Sequence, residues 1–207
     1  MEDHDRVAAV VLAAGMSQRM GRLKSLLPFG DRPMLARVLE NLLAAGNISP
    51  IIVVTGYAAE EIGSVAAEYN MVQTHNPHYE AGGMLSSIQQ GVQALPTDCE
   101  AFFLVLGDQP GVRPDTLRTL LAAWQERKPP VLLPTHAGKR GHPILLASSL
   151  VAEIRALPSE TTLKTLITRH ADLALILEVA DPAILWDVDT PEDYERALQN
   201  FENQSGL

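Results

Sequence analysis

Ala101–Leu106 is six apolar residues without a break, too short for a lone helix and too apolar for a strand with one face in water. Similar runs recur at Val7–Ala13, Ile51–Thr55, Val131–Thr135 and Ile144–Ala147, with a weaker strand signal at Met71–His75. Stretches of helical spacing lie between them, at Pro33–Ala45, Ala58–Tyr69, Met84–Leu95 and Asp115–Arg127. A helical tail follows, with Leu150–Leu157, Leu163–His170 and Pro191–Phe201. Continuous apolar strands separated by helices need cover on both faces, which predicts a mostly parallel sheet in a three-layer α/β sandwich. In such sheets ligands sit beyond the carboxyl ends of the strands. The residues that follow each apolar run are therefore the candidates for chemistry.

Three such segments carry it. The first run breaks into a loop with Gly15, Ser17, Arg19, Gly21 and Lys24. Glycine lets backbone N–H groups approach a ligand closely, and fixed cations beside them suit phosphate. The loop is not a Walker P-loop, because five residues separate Gly15 from Gly21 and Lys24 comes three later. It is not the dinucleotide fingerprint either, since G-x-G-x-x-G is absent. Taken alone, such a loop also fits a surface turn with two solvated cations.

Asp108 follows the strongest strand, inside Gly107-Asp108-Gln109-Pro110. A carboxylate at the rim of a buried sheet needs a cation, hydrogen bonds or water; the ordinary use of Asp-x-Pro is a turn or cap. Asp187 and Asp189 flank Val188, so in an extended segment both point to one side. Thr190 and Pro191 behind them read as an N-cap and the first helical position. A basic glycine loop with two acidic strand ends suits a triphosphate held with Mg²⁺, which prefers one or two carboxylates plus substrate phosphates. Phosphoryl-type transfer needs no protein nucleophile, because positioning and charge neutralisation do most of the catalysis.

Composition narrows the partners. A chain of 207 residues that is 46% apolar fits a single domain over 1–207, with only Asn203–Leu207 reading as frayed. A net charge of −9 with 16 Lys and Arg excludes a nucleic-acid-coating surface but permits a local nucleotide pocket. The lone Cys99 excludes internal disulfides and cysteine-rich metal sites. No apolar run is long enough to span a membrane and no signal-peptide pattern follows Met1, so the expected place is the cytoplasm with no membrane partner.

The segments Leu12-Ala13-Ala14-Gly15-x-Ser17-x-Arg19-Met20-Gly21-x-x-Lys24, Gly107-Asp-Gln-Pro110, Gly141-His142-Pro143 and Asp187-Val-Asp-Thr-Pro-Glu-Asp-Tyr194 resemble, in order, the molybdenum cofactor cytidylyltransferases. These are nucleotidyltransferases with a Rossmann-like GT-A fold, and the likeness spans roughly residues 6 to 198. It implies transfer of CMP from CTP to molybdopterin-bound molybdenum, with release of pyrophosphate and a requirement for Mg²⁺. Carried over by motif, Gly15, Arg19 and Lys24 would hold the triphosphate, and Asp108 would bind Mg²⁺ with Asp189. Leu12, Ala13, Ala14, Ser17, Gly21, Gln109 and Pro110 belong to the same substrate-facing segments. Asn76-Pro77 and Gly82-Gly83-Met84-x-Ser86-Ser87 match the region facing base and ribose, though Gly82 and Gly83 equally suit a plain loop before a helix. His142 would lie near the pterin, or serve as a structural histidine. The product would pass to a molybdenum hydroxylase.

Cytosine over guanine rests on the first motif. Guanylyltransferase relatives usually show Leu-Ala-Gly-Gly where this chain has Leu12-Ala13-Ala14-Gly15, and an Asp where it has Leu23. The extra methyl of Ala14 would narrow the space beside the base. One stretch departs from the family: its usual Gly-Asp-x-Gly is replaced by Leu157-Pro-Ser-Glu-Thr-Thr-Leu-Lys164, which puts the acceptor side in question. The alternatives are GTP as donor, a sugar, choline or polyol phosphate as acceptor, or a non-catalytic nucleotide-binding partner in molybdenum hydroxylase maturation. The last would not need Asp108 and Asp189 together.

Overall fold

A computed structural model describes residues 6–16 and 23–205. Seven strands form the central sheet: β1 (Val7–Leu12), β2 (Ile48–Thr55), β3 (Val72–His75), β4 (Ala101–Leu106), β5 (Val131–His136), β6 (Ile144–Ala147) and β7 (Leu175–Glu178). Their order across the sheet is β7-β5-β6-β4-β1-β2-β3, with Lys139–Arg140 adding a short strand on β5. All neighbours pair in parallel except β6, which runs against both β4 and β5, and the short Lys139–Arg140 strand, which runs against β5. The expected mostly parallel three-layer sandwich is the observed fold. β6 reverses because the link from His136 to Ile144 is far shorter than the dozen or more residues a parallel crossover needs.

Seven helices complete the layers: α1 (Met34–Ala45), α2 (Ala59–Glu68), α3 (Gly83–Gln93), α4 (Pro114–Arg127), α5 (Val151–Arg155), α6 (Leu163–Arg169) and α7 (Pro191–Ser205). Alternation along the strands decides which layer each face meets. Ala9, Val11, Val53, Phe103 and Val105 pack against α1, α2 and α4 through Leu39, Ile62 and Trp124. Ala8, Val10, Val54, Phe102 and Leu104 pack against α3, α5 and α6 through Ile88, Ile154 and Leu166. A third cluster joins Phe29, Met34, Val188 and Ala197, where Phe201 of α7 sits 4.7 Å from the Phe29 ring.

Most predicted elements occur within one to three residues of their expected bounds. β2 begins earlier, at Ile48, and carries a cis peptide at Ser49-Pro50. The sequence reading assigns no element to residues 171–190; Leu175–Glu178 within them is a parallel edge strand on β5. Its four residues alternate half-buried and exposed, too short a pattern to separate from helix by periodicity. α7 continues through Ser205, past the expected fraying point. Thr190 caps it as foreseen: its backbone N–H and hydroxyl both donate to Asp193 Oδ2, while the Asp193 N–H returns to Thr190 Oγ1 at 3.2 Å.

Candidate active site

β1 and β4 pair in register from Val7↔Ala101 to Leu12↔Leu106, so both strands end level. Their exits then touch, with the Gly107 N–H donating to Leu12 O at 3.0 Å. A Cβ at position 107 would stand 2.9 Å from that same carbonyl, which is why glycine precedes Asp108. The register thus brings the first loop and Asp108 to one corner of the carboxyl edge.

Lys24 joins them. It opens a short turn whose neighbours Leu23 and Leu26 pack on the core, and it is 7% exposed. Its ammonium lies 2.6 Å from Asp189 Oδ1 and 3.9 Å from Asp108 Oδ2. Val188 is buried in the third cluster, so the chain on either side of it turns Asp187 and Asp189 back toward this corner. Asp187 Oδ1 accepts from Gln109 Nε2 at 2.9 Å. The other end of that amide, Gln109 Oε1, is buried with no hydrogen-bond partner among the described residues.

Charge is concentrated here at low solvation. Burial pushes the Asp108 carboxyl up, Lys24 and the residue's own backbone N–H pull it down, and Asp187 and Asp189 add to the rise. Burial likewise lowers the His142 imidazole, with Asp187 working against it. Two carboxylates within reach of one cation are a fitting donor set for a divalent ion that also takes substrate phosphate oxygens. No group of three or more His, Cys, Asp or Glu among the described residues could hold a metal without such help.

His142 reaches the same edge by the reversed strand. β6 runs antiparallel, so its start rather than its end lies at the carboxyl edge. The His142 N–H donates to Ile184 O at 2.9 Å and the Gly141 N–H to Pro134 O at 2.9 Å. A Cβ at 141 would stand 2.3 Å from Ile184 O, so only glycine permits this approach.

The remaining expected residues separate into groups. Ser17, Arg19 and Gly21 lie outside the described residues. Gly15 is exposed at the loop mouth, while Ala13 and Ala14 are buried. Ala14 belongs to the core on the α3 side, and its carbonyl accepts from the Tyr57 N–H at 3.2 Å. Its methyl lies beside Gly56, where a Cβ would come within 2.8 Å of it. Leu12 is half-buried at the end of β1. Pro110 O accepts from Asn41 Nδ2 at 3.0 Å. Asn76, Ser86 and Ser87 form their own knot: Asn76 Nδ2 donates to both serine hydroxyls at 2.8 and 3.0 Å. Asn76 Oδ1 accepts from the His78 N–H. This knot fastens the end of β3 to α3, with Gly82 and Gly83 between. Asp187 was seen in the sequence only as the neighbour of Asp189, and its pairing with Gln109 across 78 positions left no local signal.

A cavity of about 580 Å³ opens beside His142, bounded by Gly82, Gly83, the start of β6, Ser159 and residues 161–164. It meets the departing segment of the sequence.

Residues 9–173 match the family described as the MobA-like NTP transferase domain. A molybdenum cofactor cytidylyltransferase from Escherichia coli K12 is 33% identical over 94% of this chain and 97% of its own length. A probable molybdenum cofactor guanylyltransferase from Natranaerobius thermophilus is 25% identical over 65% of this chain and 62% of its own. The structure of Rv0371c from Mycobacterium tuberculosis H37Rv superposes with a TM-score of 0.80 at 28% identity, covering 94% of this chain and 97% of that one. The same protein has been solved in complex with manganese, at a TM-score of 0.78.

Proposed function

The chain belongs to the MobA-like NTP transferase family and is a nucleotidyltransferase; from that premise we propose that it moves CMP from CTP to molybdenum-bound molybdopterin. A terminal phosphate oxygen of the pterin attacks the α-phosphorus of CTP. The bond from that phosphorus to the bridging oxygen breaks, and pyrophosphate leaves with the electron pair. The observation that carries the reading is the Lys24–Asp108–Asp189 corner, in a chain 33% identical over 94% of its length to a molybdenum cofactor cytidylyltransferase.

Within this reading Asp108 and Asp189 would hold a divalent ion together with phosphate oxygens of the nucleotide. Mg²⁺ there would neutralise charge on the α-phosphate and the departing pyrophosphate. Lys24 would exchange its carboxylate partners for the triphosphate, and Gly15 and Arg19 would contact the same phosphates as the resemblance implies. Gln109 holds Asp187 in place, and Asp187 faces both the Asp108 corner and His142. The buried methyl of Ala14, packed beside Gly56, would narrow the space beside the base and so favour cytosine. Transfer of the product to a molybdenum hydroxylase is the step that follows. GTP is the second reading of the donor, favoured by the guanylyltransferase relative.

Anaerobic incubation with Mg²⁺, molybdenum cofactor and either CTP or GTP, read by the mass of the pterin product, tests this. The expected product carries cytosine. A guanine product reverses the donor assignment, and no product with either nucleotide removes the acceptor.

A further inference from the structure

Asp181 is 1% exposed and has no part in the proposed reaction. It opens a segment, residues 181–189, that touches both halves of the candidate site. Read locally, Asp181-Pro182 is a cap on the short turn Pro182–Leu185. One oxygen meets that need, since Oδ1 accepts from the Ala183 N–H at 3.1 Å. The other is turned to a different element. Oδ2 accepts from the Arg113 N–H at 3.1 Å and from the Thr116 hydroxyl at 2.7 Å, at the start of α4, 68 and 65 positions away. Arg113 Nε stands 3.5 Å from the same oxygen. A buried charge with its partners is a weak source of net stability, but it holds every donor that serves it to one geometry.

That geometry reaches the site through a stretch with little freedom. Ala183 and Ile184 are fully buried. The Trp186 N–H donates to Ala183 O at 3.1 Å and the Asp187 N–H to Leu185 O at 3.0 Å. On one side Ile184 O takes the His142 N–H. On the other the Trp186 ring covers Gly111, where a Cβ would stand 2.4 Å from it. Asp187 then meets Gln109, and Asp189 meets Lys24. We propose that Asp181 is a positioning residue: by locking residues 181–189 onto the start of α4 it sets where Asp187 and Asp189 stand, and with them the affinity of the corner for a divalent ion.

The inference rests on the proposed assignment of that ion to Asp108 and Asp189, and not on the acceptor. In Asp181→Asn either orientation of the amide turns its NH₂ against a buried backbone N–H, of Arg113 or of Ala183, so one hold is lost. Mn²⁺ is titrated by electron paramagnetic resonance with CTP or GTP present, and the two tryptophans, Trp124 and Trp186, are read by fluorine NMR after fluorotryptophan labelling. Asp181→Asn should bind Mn²⁺ about tenfold more weakly, with the Trp186 resonance shifted and that of Trp124 in the core unmoved. Thr116→Val removes one donor at constant volume and should weaken Mn²⁺ about threefold; it carries the test if the first variant does not fold. Thr116→Ser keeps the hydroxyl and should match wild type. Unchanged Mn²⁺ affinity in a folded Asp181→Asn, or in Thr116→Val, overturns the proposal. So does joint movement of both tryptophan signals, which marks a general loosening of the fold, and so does a wild type that binds no Mn²⁺ with either nucleotide. Weakened Mn²⁺ binding in the variants without CMP transfer to molybdopterin by wild type keeps this inference and removes the proposed reaction; CMP transfer with Mn²⁺ affinity unaltered in the variants does the reverse.

Discussion

At the end of β1 and β4, Lys24 lies 2.6 Å from Asp189 and 3.9 Å from Asp108, whereas Arg140 and Lys164 beside β6 face a cavity with no carboxylate among its described lining residues. Both places sit on the same edge of the same sheet. One is an assembled cluster of opposite charges; the other is a large apolar volume with one sign of charge. The difference follows from what each would receive. A nucleotide that arrives with a divalent ion brings both signs, so a preassembled corner can exchange partners without exposing a bare buried charge. A ligand that brings anionic groups and a ring system needs cations left open and an interior that does not compete with its hydration.

The sharpest way to break this contrast is Asp108→Ala. It should lower turnover by about a hundredfold or more, measured as pyrophosphate release, while far-ultraviolet circular dichroism is unchanged because Asp108 lies at the rim rather than in the core. Near-normal turnover would remove Asp108 from the reaction. Asp108→Asn adds a stability readout. Burial raises the carboxyl in the folded state, so the folded protein binds that proton more tightly than the unfolded chain. Stability contributed by this group is therefore lost as pH rises from the ordinary carboxylate range through the raised value. Metal-free Asp108→Asn should melt higher than wild type at neutral pH, and a lower Tm would contradict the assignment of a destabilised carboxylate.

Gly141→Ala separates the two sites. The added methyl meets Ile184 O at 2.3 Å, a backbone atom that cannot rotate away, so about 1–3 kcal/mol of stability should be lost. Because the clash moves His142 and the cavity wall, pterin binding should weaken while CTP binding at the Lys24 corner is retained. Equal weakening of both would show the two places to be one mechanical unit. The smallest effect is expected from Ala14→Gly. It removes one buried methyl at a cost of about 1 kcal/mol and should shift the ratio of CTP to GTP use toward GTP. An unchanged ratio would place base selection elsewhere in the loop.

Much of this contrast was legible along the chain. The rule for strand ends found Asp108 without coordinates; Asp189 was read as a strand end too, but it follows the short helical turn Pro182–Leu185 rather than a strand, and only packing brings it to Lys24. His142 escaped that rule, because it precedes its strand, and only the antiparallel course of β6 turns a strand beginning into part of the carboxyl edge. β7 was missed since four alternating residues at a sheet edge bury too little to mark themselves. Residues 157–164 stood out as a departure from a familiar pattern, but their role as a cavity wall did not.

Periodicity by itself determined the layers, because a strand that is apolar on both faces has no stable place except between two sheets of helices. The turn chemistry of Thr190 was likewise local, and so readable. Tertiary structure alone decided that Gln109 holds Asp187, that Lys24 is shared by two carboxylates more than 80 positions away, and that Arg140 and Lys164 line one cavity. Those pairings depend on where loops of different strands converge, and loop convergence is set by packing over the whole core rather than by any stretch of sequence that contributes to it.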